Sequence, residues 1–112
     1  MERVKPIELT DNERKKTYTL EFSRETVRRA ERNGFSLEDC AKFPSLLYDL
    51  FYYSFLMHHE NEIKRKITDE LLDGLGGVGG APTGLLERLG ELYSQAYVTL
   101  GDEKNGRVTV TF

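Results

Sequence analysis

A chain of 112 residues, with 38% hydrophobic and 31% charged side chains, is long enough for one core and too apolar for a disordered polymer. Sixteen Lys plus Arg against nineteen Asp plus Glu give a net charge of −3, which argues against a protein built to coat nucleic-acid phosphates. The single cysteine, Cys40, excludes an intramolecular disulfide and any multi-cysteine zinc site, and the opening MERVKPIELT has no apolar signal core. The expected setting is therefore a reducing cytoplasm.

The charge is uneven along the chain: residues 1–35 hold nine basic and seven acidic side chains, residues 36–112 seven and twelve. The first elements read as a hairpin. Ile7 and Leu9 alternate with polar neighbours in a strand over 4–9, Asp11–Lys16 is wholly charged or polar, and Tyr18, Leu20 and Phe22 share one face of a strand over 17–22. Ser23 is a predicted N-cap and Gly34 the left-handed stop of a helix with a thin apolar face, Val27 and Ala30. Ser36–Ala41 reads as a short helical turn capped by Ser36. Pro44 then opens a long helix to about Glu60, where a missing N–H costs nothing.

That helix is apolar nearly all round, through Leu46, Leu47, Leu50, Phe51, Phe55, Leu56 and Met57 with Tyr48, Tyr52 and Tyr53. Such a helix is either central and buried or divided between a core and a partner. It is too short, and carries Asp49, for a membrane span. Thr68 is a predicted cap of a helix that dissolves at Gly74. Residues 74–84, with six glycines in eleven, read as a flexible linker. Leu85, Leu89, Leu92, Ala96 and Leu100 recur at helical spacing over 85–100 and Gly101 is a stop, with a strand at Tyr97–Leu100 as the alternative. Asp102–Gly106 is a turn containing Asn105–Gly106, and Val108, Val110 and Phe112 alternate in a final strand over 107–112. Together these elements predict one α+β domain over 1–112, a small antiparallel sheet of strands 4–9, 17–22 and 107–112 packed against three to four helices.

No constellation asks for chemistry. Gly74, Gly76 and Gly79 match the letters of GxGxxG, but an acidic helix precedes them and more linker follows, where a dinucleotide site needs a strand and then a helix. His58 and His59 are adjacent, so one helix aims their imidazoles about 100° apart, away from any single ion. Cys40 has no basic neighbour in sequence to activate it and reads as a small buried residue. Arg24, Arg28 and Arg32 share a helix face, yet Glu25 and Glu31 interleave and no aromatic accompanies them for base stacking, so a solvated face is expected. No catalytic residue, cofactor, metal, nucleic acid or membrane is therefore assigned.

The run KKTYTLEFSRETVRRAERNGF, followed after a short gap by FPSLLYDLFYYSFLMHH, resembles the tail assembly chaperone-like proteins of tailed phages and prophages (siphophages) of Gram-positive bacteria. The closing RVTVTF fits the same pattern, whereas the glycine-rich 74–84 departs from it. The resemblance implies a non-enzymatic role: binding the hydrophobic tape measure protein, recruiting tail-tube subunits, and self-associating as an oligomer. It makes the aromatic helix and the apolar face of helix 85–100 the contact surfaces, with Tyr48, Phe51, Tyr52, Phe55, Met57, Leu89 and Tyr93 as candidate partner-binding residues. The alternative expectation is a structural virion component, a head–tail connector or tube-associated protein, which would persist in mature particles.

Overall fold

The computed structural model describes residues 3–82, 84–100 and 111–112, with side chains described as far as Ala96 in the last helix. Two antiparallel strands, β1 (Ile7–Asp11) and β2 (Lys16–Leu20), form the sheet, with Ile7 opposite Leu20 and Asp11 opposite Lys16. The strands are offset from the expected 4–9 and 17–22 because Asp11 builds the turn. Its Oδ1 accepts the backbone N–H groups of Glu13 (3.0 Å) and Arg14 (3.1 Å), while Oδ2 accepts Nη1 of Arg14 (2.9 Å). Lys15 closes the loop at φ 55°. These bonds, the Arg14 side chain foremost, hold the Asp11 carboxyl below the usual carboxylate range. Tyr18, Leu20 and Phe22 all face the interior, as the alternation predicts. The expected third strand over 107–112, all but its last two residues, lies outside the described residues, as do the stop at Gly101 and the turn at 102–106.

Helix α1 (Arg24–Arg32) starts and stops as its sequence dictates. Ser23 Oγ accepts the N–H of Thr26 (3.2 Å) and Thr26 Oγ1 accepts the N–H of Ser23 (2.8 Å), a reciprocal cap of two otherwise orphaned donors. At the other end Gly34 sits at φ 89°, and the N–H groups of Phe35 and Gly34 reach the carbonyls of Ala30 (3.0 Å) and Glu31 (2.9 Å). That is the left-handed terminus a Cβ would disfavour. Val27 and Ala30 are its buried stripe, and Arg28 and Arg32 lie exposed.

Two short 3₁₀ turns, Leu37–Ala41 and Pro44–Leu46, lead into α2 (Leu47–His59). Ser36 precedes the first turn without a side-chain cap; the turn is held instead by the Asp39 N–H on the Ser36 carbonyl at 3.1 Å. Helix α2 resolves the ambiguity of its all-round apolarity, because Leu47, Leu50, Phe51, Tyr53, Phe55 and Leu56 are all buried. β2, α1, α3 (Arg65–Gly74) and α5 (Leu85–Leu100) all pack on it. Burial of each large side chain contributes on the order of 1.5–3 kcal/mol.

The sheet meets α2 along an edge as well as a face. The N–H groups of Thr19 and Glu21, which point away from β1, are taken by Nε2 of His59 (2.9 Å) and the carbonyl of Ser54 (2.9 Å). One open edge of the hairpin is thereby covered by a helix.

Helix α3 begins at Arg65, not at Thr68. Thr68 is fully buried one turn inside, its hydroxyl donating back to the Arg65 carbonyl at 3.0 Å. The glycine-rich stretch is also corrected. It folds into a helical turn, α4 (Gly77–Gly80), entered through Gly76 at φ 113°. The final helix α5 remains helical through Tyr97–Leu100, against the strand alternative there, and Leu89, Leu92, Tyr93 and Ala96 join the core. Tyr93 meets the rings of Phe22 (5.1 Å) and Phe35 (5.5 Å) edge-on.

Candidate protein-binding surface

The seven residues named from the sequence separate into three groups. Phe51, Phe55, Leu89 and Tyr93 are core residues, which corrects their placement on a contact surface: none is more than 2% exposed. The apolar face of α5 is spent on α1 and α2 in the same way. Tyr48 and Tyr52 are half-buried and engaged within the chain. The Tyr48 hydroxyl donates to Asp73, and that carboxylate beside it raises the phenol above its ordinary range. The Tyr52 ring lies under the Arg65 guanidinium at 5.2 Å, and Arg65 also bonds Asp49. Only Met57 is substantially open, at 39%.

The surface with unspent apolar area lies elsewhere. A groove of about 580 Å³ runs between the 3₁₀ turns and the glycine-rich turn, lined by Cys40, Ala41, Pro44, Leu47, Val78, Ala81, Pro82, Gly84, Leu86 and Glu87. Its first wall includes Pro44, which keeps the preceding Phe43 out of the helical region (φ −125°, ψ 85°); Phe43, next to that wall in sequence, is 59% exposed. Its second wall is the turn that sequence composition assigned to a linker. Tyr48 supports that wall: its hydroxyl lies so close to Gly77 that a Cβ there would sit 3.2 Å away. Val78 and Leu86, 40% and 43% exposed, crown it. Phe43, Val78 and Leu86 were missed in the sequence. A lone valine among glycines and an aromatic directly before a proline, neither on an amphipathic face, were the available signals.

The groove's lining is mainly apolar. Among the described residues Glu87 is the one charged side chain in its lining, and burial pushes the Cys40 thiol up, away from the reactive thiolate. His58 and His59 lie apart from it and have other work. His59 Nε2 accepts from Thr19, so Nδ1 carries the proton that it donates to Glu62, and the ring packs edge-on against Tyr18 at 5.1 Å. His58 bonds Glu21 at 2.9 Å, and Glu21 also holds Arg3 at 3.1 Å. Among the described residues, no group of three or more His, Cys, Asp and Glu is placed to hold a metal ion, and no helix is long and apolar enough to cross a membrane. The glycine segment follows a helix, not a strand, and so lacks the context of a dinucleotide site.

Fold and surface together define a small α+β protein whose accessible feature is an apolar groove with Phe43, Val78 and Leu86 exposed on or beside its walls. The chain belongs to the DUF5055 family, described as a domain of unknown function, whose model matches residues 2–112. A search of the curated proteins and a search of the solved structures each found no match.

Proposed function

We propose that this chain is a non-enzymatic tail assembly chaperone of a phage or prophage, acting in the host cytoplasm. It binds apolar segments of the tape measure protein and assists assembly of the tail-tube subunits around it. The observation that carries the reading is the groove: about 580 Å³, one charged lining residue among the described residues, and three large apolar side chains left in solvent on or beside its walls. Apolar surface of this kind on an otherwise well-packed small protein suits reversible capture of an apolar chain segment. The sequence resemblance over residues 15–60 supplies the client; the groove supplies the place.

Co-expression tests the reading. The chaperone should raise the soluble fraction of the tape measure protein encoded beside it, and the double variant Phe43→Ser/Leu86→Ser, folded by circular dichroism, should lose most of that effect. No gain in solubility with both proteins folded would overturn the reading, and full activity of the double variant would remove the groove from it.

A further inference from the structure

One wall of the groove is held more loosely than the other. The glycine-rich turn supplies Val78, Ala81 and Pro82 to the lining, yet none of residues 76–82 is buried. Among the described residues, the backbone hydrogen bonds of 77–81 stay inside the turn. They run from the Gly80 N–H to the Gly76 carbonyl and from the Ala81 N–H to the Gly77 carbonyl, each 3.1 Å. The helices on either side are anchored, α3 by fully buried Leu72 and α5 by fully buried Leu89. Glycines in the left-handed region stand at both ends of the turn, Gly76 (φ 113°) and Gly77 (φ 69°) on one side and Gly84 (φ 89°) on the other. A segment with little buried surface, only local hydrogen bonds and glycines at its ends opens at far lower cost than the whole fold. Across the groove, Cys40 and Leu47 are buried members of the core.

We propose that residues 76–82 are a hinged lid on the groove. Opening breaks the two bonds within the turn, pivots the segment on its flanking glycines, and carries Val78 and Ala81 away from Cys40 and Leu47. The Tyr48 hydroxyl, bonded to Asp73 and lying close to Gly77, braces the closed form. The lid needs nothing but this chain; only its use, admitting an apolar client to the groove, rests on the proposed function.

Cys40 lines the groove and is the one cysteine of the chain, so its alkylation by iodoacetamide reads the lid with no client present. Rates are measured on the full chain across urea concentrations below the unfolding transition. Labelling should be slower than in the urea-unfolded chain, about tenfold or more faster than global unfolding permits, and nearly independent of urea, as a local opening requires. Gly79→Ala/Gly80→Ala, where each Cβ meets nothing within 4 Å, favours the helical turn and should slow labelling by about fivefold or more. Gly76→Ala, whose Cβ overlaps the Gly80 backbone, should speed it by about tenfold. His59→Ala, a change apart from the groove, should lower the urea midpoint and leave labelling unaltered; circular dichroism confirms that each variant keeps the fold. Labelling no faster than global unfolding permits, or accelerated by His59→Ala, would overturn the lid. So would a rate indifferent to both glycine changes, or one equal to that of the unfolded chain. Thiol labelling and client solubility are separate readouts, so failure of the lid is distinguishable from failure of the proposed function.

Discussion

Alanine at Gly76 offers a sharp test of whether the glycine-rich stretch is structure or tether. Gly76 sits at φ 113°, where an L side chain costs roughly 1–3 kcal/mol in backbone strain. A Cβ there would lie 2.3 Å from the Gly80 carbonyl oxygen and 2.5 Å from its carbon, backbone atoms that cannot swing aside. Relieving the overlap means opening the turn and giving up the Gly80 N–H to Gly76 carbonyl bond (3.1 Å), worth about 1 kcal/mol. The expected loss is thus about 2–4 kcal/mol, with the free energy of melting this one turn as its ceiling, because the chain can escape by local unfolding. Gly79 and Gly80 are internal controls: at either, a Cβ meets nothing within 4 Å and φ is ordinary. Gly79→Ala should be neutral or stabilise by about 0.4–1 kcal/mol through the unfolded chain. Urea denaturation followed by circular dichroism measures all three. A tether would respond equally to each, so Gly76→Ala matching Gly79→Ala in midpoint and slope would refute the account of this wall.

Two further outcomes concern side chains inside the fold. His59→Ala strips the acceptor from the Thr19 N–H and the ring from Tyr18, and should cost about 1–3 kcal/mol in denaturant unfolding, with His59→Gln losing less because its amide oxygen can still accept. Burial, ahead of the nearby Glu31, raises Tyr93 to about 12. A phenol whose folded value exceeds its unfolded value of about 10 favours the fold while neutral, so this stability is complete below pH 10 and is lost as pH rises from 10 to 12, to the extent of roughly 2–3 kcal/mol. Tyr93→Phe should flatten that alkaline decline in urea midpoints; an unchanged decline would place its cause in another group.

Local signals were read well in the sequence, and their tertiary uses were not. Ser23, Gly34 and the alternation of Tyr18, Leu20 and Phe22 act through neighbours a few residues away, and each does what its pattern predicts. Thr68 shows how a local signal misleads. Thr-Asp-Glu reads as a helix start, yet burial of the threonine lets its hydroxyl bond back to Arg65 inside a helix already under way. The aromatic helix was ambiguous because its composition suits core and interface alike; only the sheet and three helices packed around it decide for the core. The groove was illegible in principle, since its walls come from residues 40–47 and 78–87, and the second wall is ordered by Tyr48 and Asp73 rather than by its own glycines.

The coverage of β2's outer edge by α2 also makes the helix a ruler for the strand. Thr19 and Glu21 are two residues apart, and their acceptors, His59 and the Ser54 carbonyl, are fixed on one helix five residues apart. A slip of β2 by a single residue would miss both acceptors at once and turn Tyr18, Leu20 and Phe22 out to water. Registry in this two-stranded hairpin is therefore enforced from outside the hairpin. Position 59 should accordingly tolerate little change across the family, because its imidazole serves as a gauge of strand alignment.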